Sequence, residues 1–130
     1  MTQALPENPS HPGAKDCPPA WHEKNPALVP AEVQNALRRA LQIEDLAMSH
    51  FDDLLWIIAQ ESGGEVGVRN HCSTARGLFQ LLRAQYFLNP NGEKSFGNAI
   101  EECQGGIRYV VDRYQSAEKA KAFWLQHRWY

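Results

Sequence analysis

The chain has 130 residues, enough for one domain with a single core and too few for two. It is 43% hydrophobic and 22% charged, ordinary values for a globular protein, and its net charge of −2 gives no electrostatic case for nucleic acid or an anionic membrane. No apolar stretch reaches the length of a membrane span, and Met1-Thr2-Gln3-Ala4-Leu5-Pro6 has neither the basic start nor the apolar run of a signal peptide.

Residues 1–30 hold seven of the eight prolines and few aliphatics between them. Such an arm cannot form regular structure by itself. It is expected to lie partly docked on the domain, pinned by Trp21 and Leu28. Helical patterning starts at Pro30, a residue suited to a first turn. Val33, Leu37 and Leu41, with Ala36 and Ala40, form one apolar stripe, and Arg38 and Arg39 face away. Residues 43–48 read as a short turn or bend. Ser49 is then expected to cap a second helix, with Asp52 and Asp53 favoured by the dipole in its first turn. Phe51, Leu54, Leu55, Ile58 and Ala59 have the spacing of a buried face, and Gly63-Gly64 ends the helix.

Residues 64–82 are polar and punctuated by glycine, which predicts a loop with at most a small hairpin. Asn89-Pro90-Asn91-Gly92 is a turn. Ser95 is expected to cap a long helix carrying Ile100, Cys103, Ile107, Val110, Val111 and Tyr114. The Gly105-Gly106 pair inside it costs about 1 kcal/mol per residue relative to Ala, which points to a close approach of a backbone or ligand, or to a kink. Ser116 caps a last helix with Ala120, Phe123 and Trp124 before the aromatic end Trp129-Tyr130. The reading is a mainly α domain over 31–130 behind a Pro-rich arm, 1–30.

Three cysteines, Cys17, Cys72 and Cys103, exclude full pairing within one chain. A Cys72–Cys103 bridge is open, with Cys103 a small core residue on the long helix. His50, His71, Cys72 and Cys103 match no metal-ligand spacing, so neither metal nor cofactor is expected.

Glu61 carries the chemistry. It follows the run Leu54-Leu55-Trp56-Ile57-Ile58-Ala59-Gln60 and precedes Ser62-Gly63-Gly64. Burial and the negative end of the helix dipole both disfavour its charged form. A carboxyl kept protonated near neutral pH suits a general acid for glycoside cleavage; the plain alternative is an exposed helix-end acid.

The ordered set Glu61-Ser62, Asn70, Ser73, Gly77-Leu78-Phe79-Gln80, Gly105-Gly106-Ile107-Arg108-Tyr109 and Arg113-Tyr114 resembles the soluble lytic transglycosylase domains of the lysozyme-like superfamily, in their small phage- and secretion-associated form. The likeness covers about residues 45–130. It implies a lysozyme-like helical fold with Glu61 as the single catalytic acid/base. It also implies substrate contacts from Ser62, Ser73, Gly77, Phe79, Gln80 and Tyr109; outside the resemblance, the aromatics Trp124, Trp129 and Tyr130 are either core or sugar-stacking residues, and Trp124 is taken as a substrate contact. Gln80 would bond a sugar, Phe79 would stand for Met in a substrate-facing wall, and Tyr109 would match a family Tyr near the carboxylate. The family's Ala-Tyr-Asn-Ala-Gly segment is missing; Ala122-Phe123-Trp124, His127 and Trp129-Tyr130 stand there instead.

The activity implied is cleavage of the MurNAc–GlcNAc β-1,4 bond of peptidoglycan with closure of a 1,6-anhydro ring. A muramidase would hydrolyse the same bond and would need a second carboxylate. Glu65 is the nearest in sequence and reads as a solvated loop residue. A glycan-binding or virion-structural module without catalysis is the reading from another class. With no leader, the protein is expected to reach the periplasm or cell wall through a phage particle or secretion system. Glycan strands, that delivery machinery and a groove-plugging immunity or inhibitor protein are the partners this implies. For Arg108 and Arg113, a solvated face or pairing with Glu101, Glu102 or Asp112 is expected. Tyr109 and Tyr114, five residues apart, are expected on different helix faces.

Overall fold

The amphipathic stripes of the sequence condense into four α-helices joined by short 3-10 turns, as a computed structural model describes for residues 22–130. The helices are α1 (Ala31–Ile43), α2 (Phe51–Ser62), α3 (Ala99–Tyr114) and α4 (Ala117–His127). With the six-residue 3-10 helix Arg83–Leu88 they make five helical segments longer than four residues, and no strand occurs among the described residues. The fold is therefore a small, mainly α domain. The loop region contributes only two isolated antiparallel bridges, Arg69 to Arg76 and Arg76 to Leu81.

Helix α2 is central. Every residue from Leu54 to Gln60 is buried, so the helix is apolar all round rather than striped. It packs against α1 and α4, while α1 lies along α3. One core runs through all four helices and takes in Leu78, Phe79 and Leu81 from the loop and Tyr130 from the chain end.

Local signals set several ends. Pro30 precedes the first residue of α1, and Ser116 Oγ accepts from Lys119 N–H at 3.2 Å to cap α4. Gly63 closes α2 with φ of 66°, a left-handed conformation that glycine adopts without a Cβ clash. Two caps differ from expectation. Ser49 lies inside a 3-10 turn, Met48–His50, and α2 begins at Phe51 with no side-chain cap. Asn98, not Ser95, caps α3 by accepting from Glu101 N–H at 3.0 Å. The Ser95 hydroxyl instead donates to Glu101 Oε1 at 2.7 Å and accepts from Asn91 N–H at 2.9 Å, fastening the turn before the helix.

The arm docks where it is described. Lys24 N–H donates to Gln60 Oε1 at 2.9 Å, and Gln60 Nε2 donates back to Lys24 O at 2.8 Å. Trp56 Nε1–H reaches Glu23 Oε2 at 3.2 Å. Leu28 does not pin it, being 78% exposed; the neighbouring Val29 is the buried anchor. Trp21 and Cys17 lie outside the described residues. Cys103 is free and buried while Cys72 is engaged in a disulfide, so no Cys72–Cys103 bridge forms.

Gly105 and Gly106 mark a close approach, made by side chains rather than backbone. A Cβ at Gly105 would sit 1.7 Å from Asn89 Oδ1, and one at Gly106 would sit 2.1 Å from the Phe79 ring. The pair lets α3 lie directly on the loop and the turn that follows it.

Candidate functional site

Glu61 occupies the last turn of α2, one residue before the helix ends. It keeps an open edge but is otherwise walled by protein. Trp124 Nε1–H donates to its Oε2 at 2.6 Å. Burial pushes the Glu61 carboxyl up to about 8, against the smaller lowering effects of the Trp124 bond and the Lys24 charge. The α2 C-terminus adds to the same upward push, because its exposed carbonyls disfavour a negative charge. At neutral pH the group is largely a neutral acid.

An aromatic shell builds this environment. Trp124, on α4, is buried and meets Trp56 of α2 edge-on, with centroids 5.3 Å apart. Tyr109 and Tyr114 of α3 and Tyr130 sit close enough that the Glu61 charge raises each of their pKa values, burial being the larger cause in every case. Tyr109 is raised to about 12. The phenols are ordered by their own bonds. Tyr109 OH donates to Tyr130 O at 3.0 Å and accepts from Arg113 Nη1 at 2.8 Å. Tyr130 OH donates to Phe79 O at 2.6 Å. Tyr114 OH is buried with no hydrogen-bond partner among the described residues. Tyr114 lies 6.5 Å from the Tyr109 ring and 6.4 Å from the Tyr130 ring, so the two α3 tyrosines, set on different helix faces, still meet in one buried cluster. Their five-residue spacing is bridged by the width of two phenol rings.

The remaining expected contact residues divide. Ser62 is next to the acid, but its hydroxyl is turned to backbone: Leu78 O at 2.8 Å, Ile58 O at 3.1 Å, with Gly64 N–H donating to it at 3.1 Å. It fastens the loop to the acid's helix. Gly77 is buried; a Cβ there would lie 2.8 Å from Glu102 Oε1. Phe79 is 1% exposed, so it belongs to the core and not to a substrate-facing wall. Gln80 is also buried, and its Nε2 donates to Gly77 O at 3.0 Å and Val68 O at 3.2 Å, holding the loop's own backbone. Ser73 accepts from Ala75 N–H at 3.1 Å in a local turn. Tyr109 and Trp124 do reach the acid's surroundings, Trp124 as a donor to the carboxyl rather than a platform for a sugar face. Glu65 is exposed on the loop, as expected.

One group has a role that no sequence signal announces. Glu102, on α3, is buried and accepts from three backbone amides: Leu78 at 2.8 Å, Gly67 at 3.2 Å and Gly97 at 2.7 Å. It ties the loop to α3. Nothing in its spacing distinguishes it from a surface glutamate. Tyr130, for which core and sugar stacking are the two expectations, is core at 1% exposure. The arginines also differ from expectation. Arg108 forks onto Glu44 at 2.9 and 2.8 Å, and Arg113 bonds Tyr109.

Among the described residues no cluster of three or more His, Cys, Asp or Glu could hold a metal ion, and no helix is long and apolar enough to cross a membrane. Compared with known proteins, the chain matches no family model, no curated protein and no solved structure.

Proposed function

We propose that this chain is a peptidoglycan lytic transglycosylase of lysozyme-like architecture, with Glu61 as its one acid and base. The observation that carries the reading is a carboxyl with pKa about 8 at the open end of an apolar helix, held by an indole N–H inside an aromatic shell. The order of the Glu-Ser, Asn, Ser and Gly-Leu-Phe-Gln elements adds to it.

The chemistry follows from the carboxyl's state. A neutral carboxyl accepts best at its carbonyl oxygen, so the Trp124 bond to Oε2 leaves the proton on Oε1. Oε1–H protonates the glycosidic oxygen as the bond from the muramic anomeric carbon breaks. The N-acetyl group of that sugar stabilises the positive charge. The carboxylate then removes the proton from the C6 hydroxyl, whose oxygen attacks the anomeric carbon and closes the 1,6-anhydro ring. Glu61 ends as it began, protonated, and the products are an anhydro-muropeptide and a free GlcNAc end. A shell that disfavours the ionised form returns the acid between turnovers.

The burial of Phe79, Gln80, Tyr109 and Trp124 moves these residues from sugar contact to support. Trp124 holds the acid, Tyr109 stands in its surroundings, and Phe79 and Gln80 hold the loop; the glycan meets Glu61 at its open edge. Delivery by a phage particle or secretion machine, and an immunity protein covering that edge, belong to the same reading.

Mass spectrometry of purified sacculi digested by the wild type and by Glu61→Gln tests it. Anhydro-muropeptides from the wild type alone support the proposal. Reducing ends replace it with a muramidase. Equal, negligible digestion by both proteins replaces it with a glycan-binding or structural module.

A further inference from the structure

A concavity of about 610 Å³ lies away from Glu61 and shares no residue with the shell described above. Its lining comes from three segments: Glu44, Asp45 and Leu46 after α1; Phe87 and Leu88 before the Asn89 turn; and Arg108, Val111 and Asp112, which share one face of α3. The volume is in the range of sites that take a side chain or small ligand, roughly 300–1,000 Å³.

Three features set this groove apart from ordinary surface. Phe87 is 75% exposed although the core lies immediately beneath it, and Val111 beside it is exposed as well. A large aromatic standing in water next to an apolar depression is a mark of an interaction surface. The floor is rigid. Arg108 donates to both oxygens of Glu44 and, through Nη1, to Leu88 O at 2.9 Å, while Gln104 Nε2 donates to Glu44 Oε2 at 2.9 Å. That fork joins the α1 end, the 87–88 segment and α3, and so fixes the shape of the groove.

The third feature is charge. Arg108 neutralises Glu44, and the hydrogen-bonded guanidinium holds the Glu44 carboxyl below the usual range. Asp45 and Asp112 are exposed on the rim, and no ion pair to either occurs among the described residues. Asp45 is held with φ of 56°, so the backbone fixes where its carboxylate stands. The result is an apolar slot edged by two uncompensated negative charges.

We propose that this groove is a docking site for a partner protein segment that presents an aliphatic or aromatic side chain flanked by Lys or Arg. The apolar side chain would enter between Phe87, Leu46 and Val111, and the flanking cations would meet Asp45 and Asp112. Such a site combines a buried anchor with a charged rim, the arrangement from which small interfaces draw affinity and register. It stands independently of the glycan-cleaving reading, since neither Glu61 nor any residue of its shell lines the groove.

The test uses the full-length chain, labelled with nitrogen-15, and two peptide probes, Ac-Arg-Phe-Lys-NH2 and Ac-Glu-Phe-Glu-NH2. The basic peptide is expected to move the amide signals of Leu46, Phe87 and Val111 and to bind at least tenfold more tightly than the acidic one. The D45N/D112N double variant should remove most of that preference. It should fold, because Asn tolerates the left-handed backbone at position 45. F87A, a truncation of an exposed ring, should weaken both peptides. Equal binding of the two peptides, no shifts at millimolar concentration, or shifts confined to other residues would overturn the proposal. So would concentration-dependent sedimentation that F87A abolishes, which would make a second copy of this chain the occupant.

Discussion

Replacing Glu61 with Gln should change how stability depends on pH, whatever the protein acts on. A carboxyl whose pKa is higher in the folded state than in the unfolded chain makes the native state the tighter proton binder. Its contribution to stability is complete below the usual carboxylate range and is lost as pH climbs toward about 8. Within that window each pH unit removes about 1.4 kcal/mol, so the two units from pH 5 to pH 7 amount to about 2.7 kcal/mol. Water at the open edge of Glu61 screens part of this, and a fall of about 1.5–2 kcal/mol is the expected outcome. Gln cannot titrate, yet its side-chain oxygen can still accept from Trp124 Nε1–H. Urea unfolding at pH 5, 6 and 7 should therefore show the variant losing less stability across the series than the wild type, the two curves diverging by about 1.5–2 kcal/mol. Parallel curves would mean that Glu61 titrates as an ordinary exposed acid, and the argument for a neutral proton donor would fail.

Other substitutions probe the supports of the acid. Trp124→Phe removes the donor that favours the ionised form, so the Glu61 pKa should rise above about 8, read directly by carbon-13 NMR of the carboxyl; the alkaline limb of any activity profile should move to higher pH with it. The same change should lower stability by about 1 kcal/mol through the lost hydrogen bond. Glu102→Gln leaves one oxygen for three amides, and at least one buried N–H loses its partner; stability should fall by roughly 1–3 kcal/mol in urea unfolding. Gly106→Ala drives a methyl group into the Phe79 ring and should lower stability by about 1–3 kcal/mol or more, with shifted Phe79 and Tyr130 ring signals in the NMR spectrum.

The parts of this fold that were legible in the sequence are those specified by near neighbours. Helix α2 is announced by its apolar run and its Gly63 stop, and that run also implies an acid with a raised pKa at its end. Ser116 caps as its spacing suggests, and the glycine pair on α3 does mark a contact. Where two capping residues stood three apart, at Ser95 and Asn98, local pattern could not choose between them. Gly97, at φ of 103°, breaks the chain after Ser95 and hands the cap to Asn98. The orientation of Phe79 and Gln80 was not legible at all. Chain order placed them near the acid; only packing against α3 and Tyr130, 51 residues from Phe79 in sequence, turns them inward. Glu102 was missed for the same reason, since its three amide partners come from two loops separated in sequence.

The bracket formed by Glu102 bears on how the loop bonded to Ser62 can move. One side chain holds Gly67 and Leu78 on one side and Gly97 on the other, so these segments cannot swing apart singly; opening any of them exposes a carboxylate that the rest of the bracket had shielded. The loop and the turn before α3 are therefore fixed as one piece. The 22–25 segment is held differently, by the reciprocal Lys24–Gln60 bonds and the Trp56–Glu23 bond to α2. Of the two attachments the arm's is the one made only at the surface of α2, so it is the free leaf of the hinge.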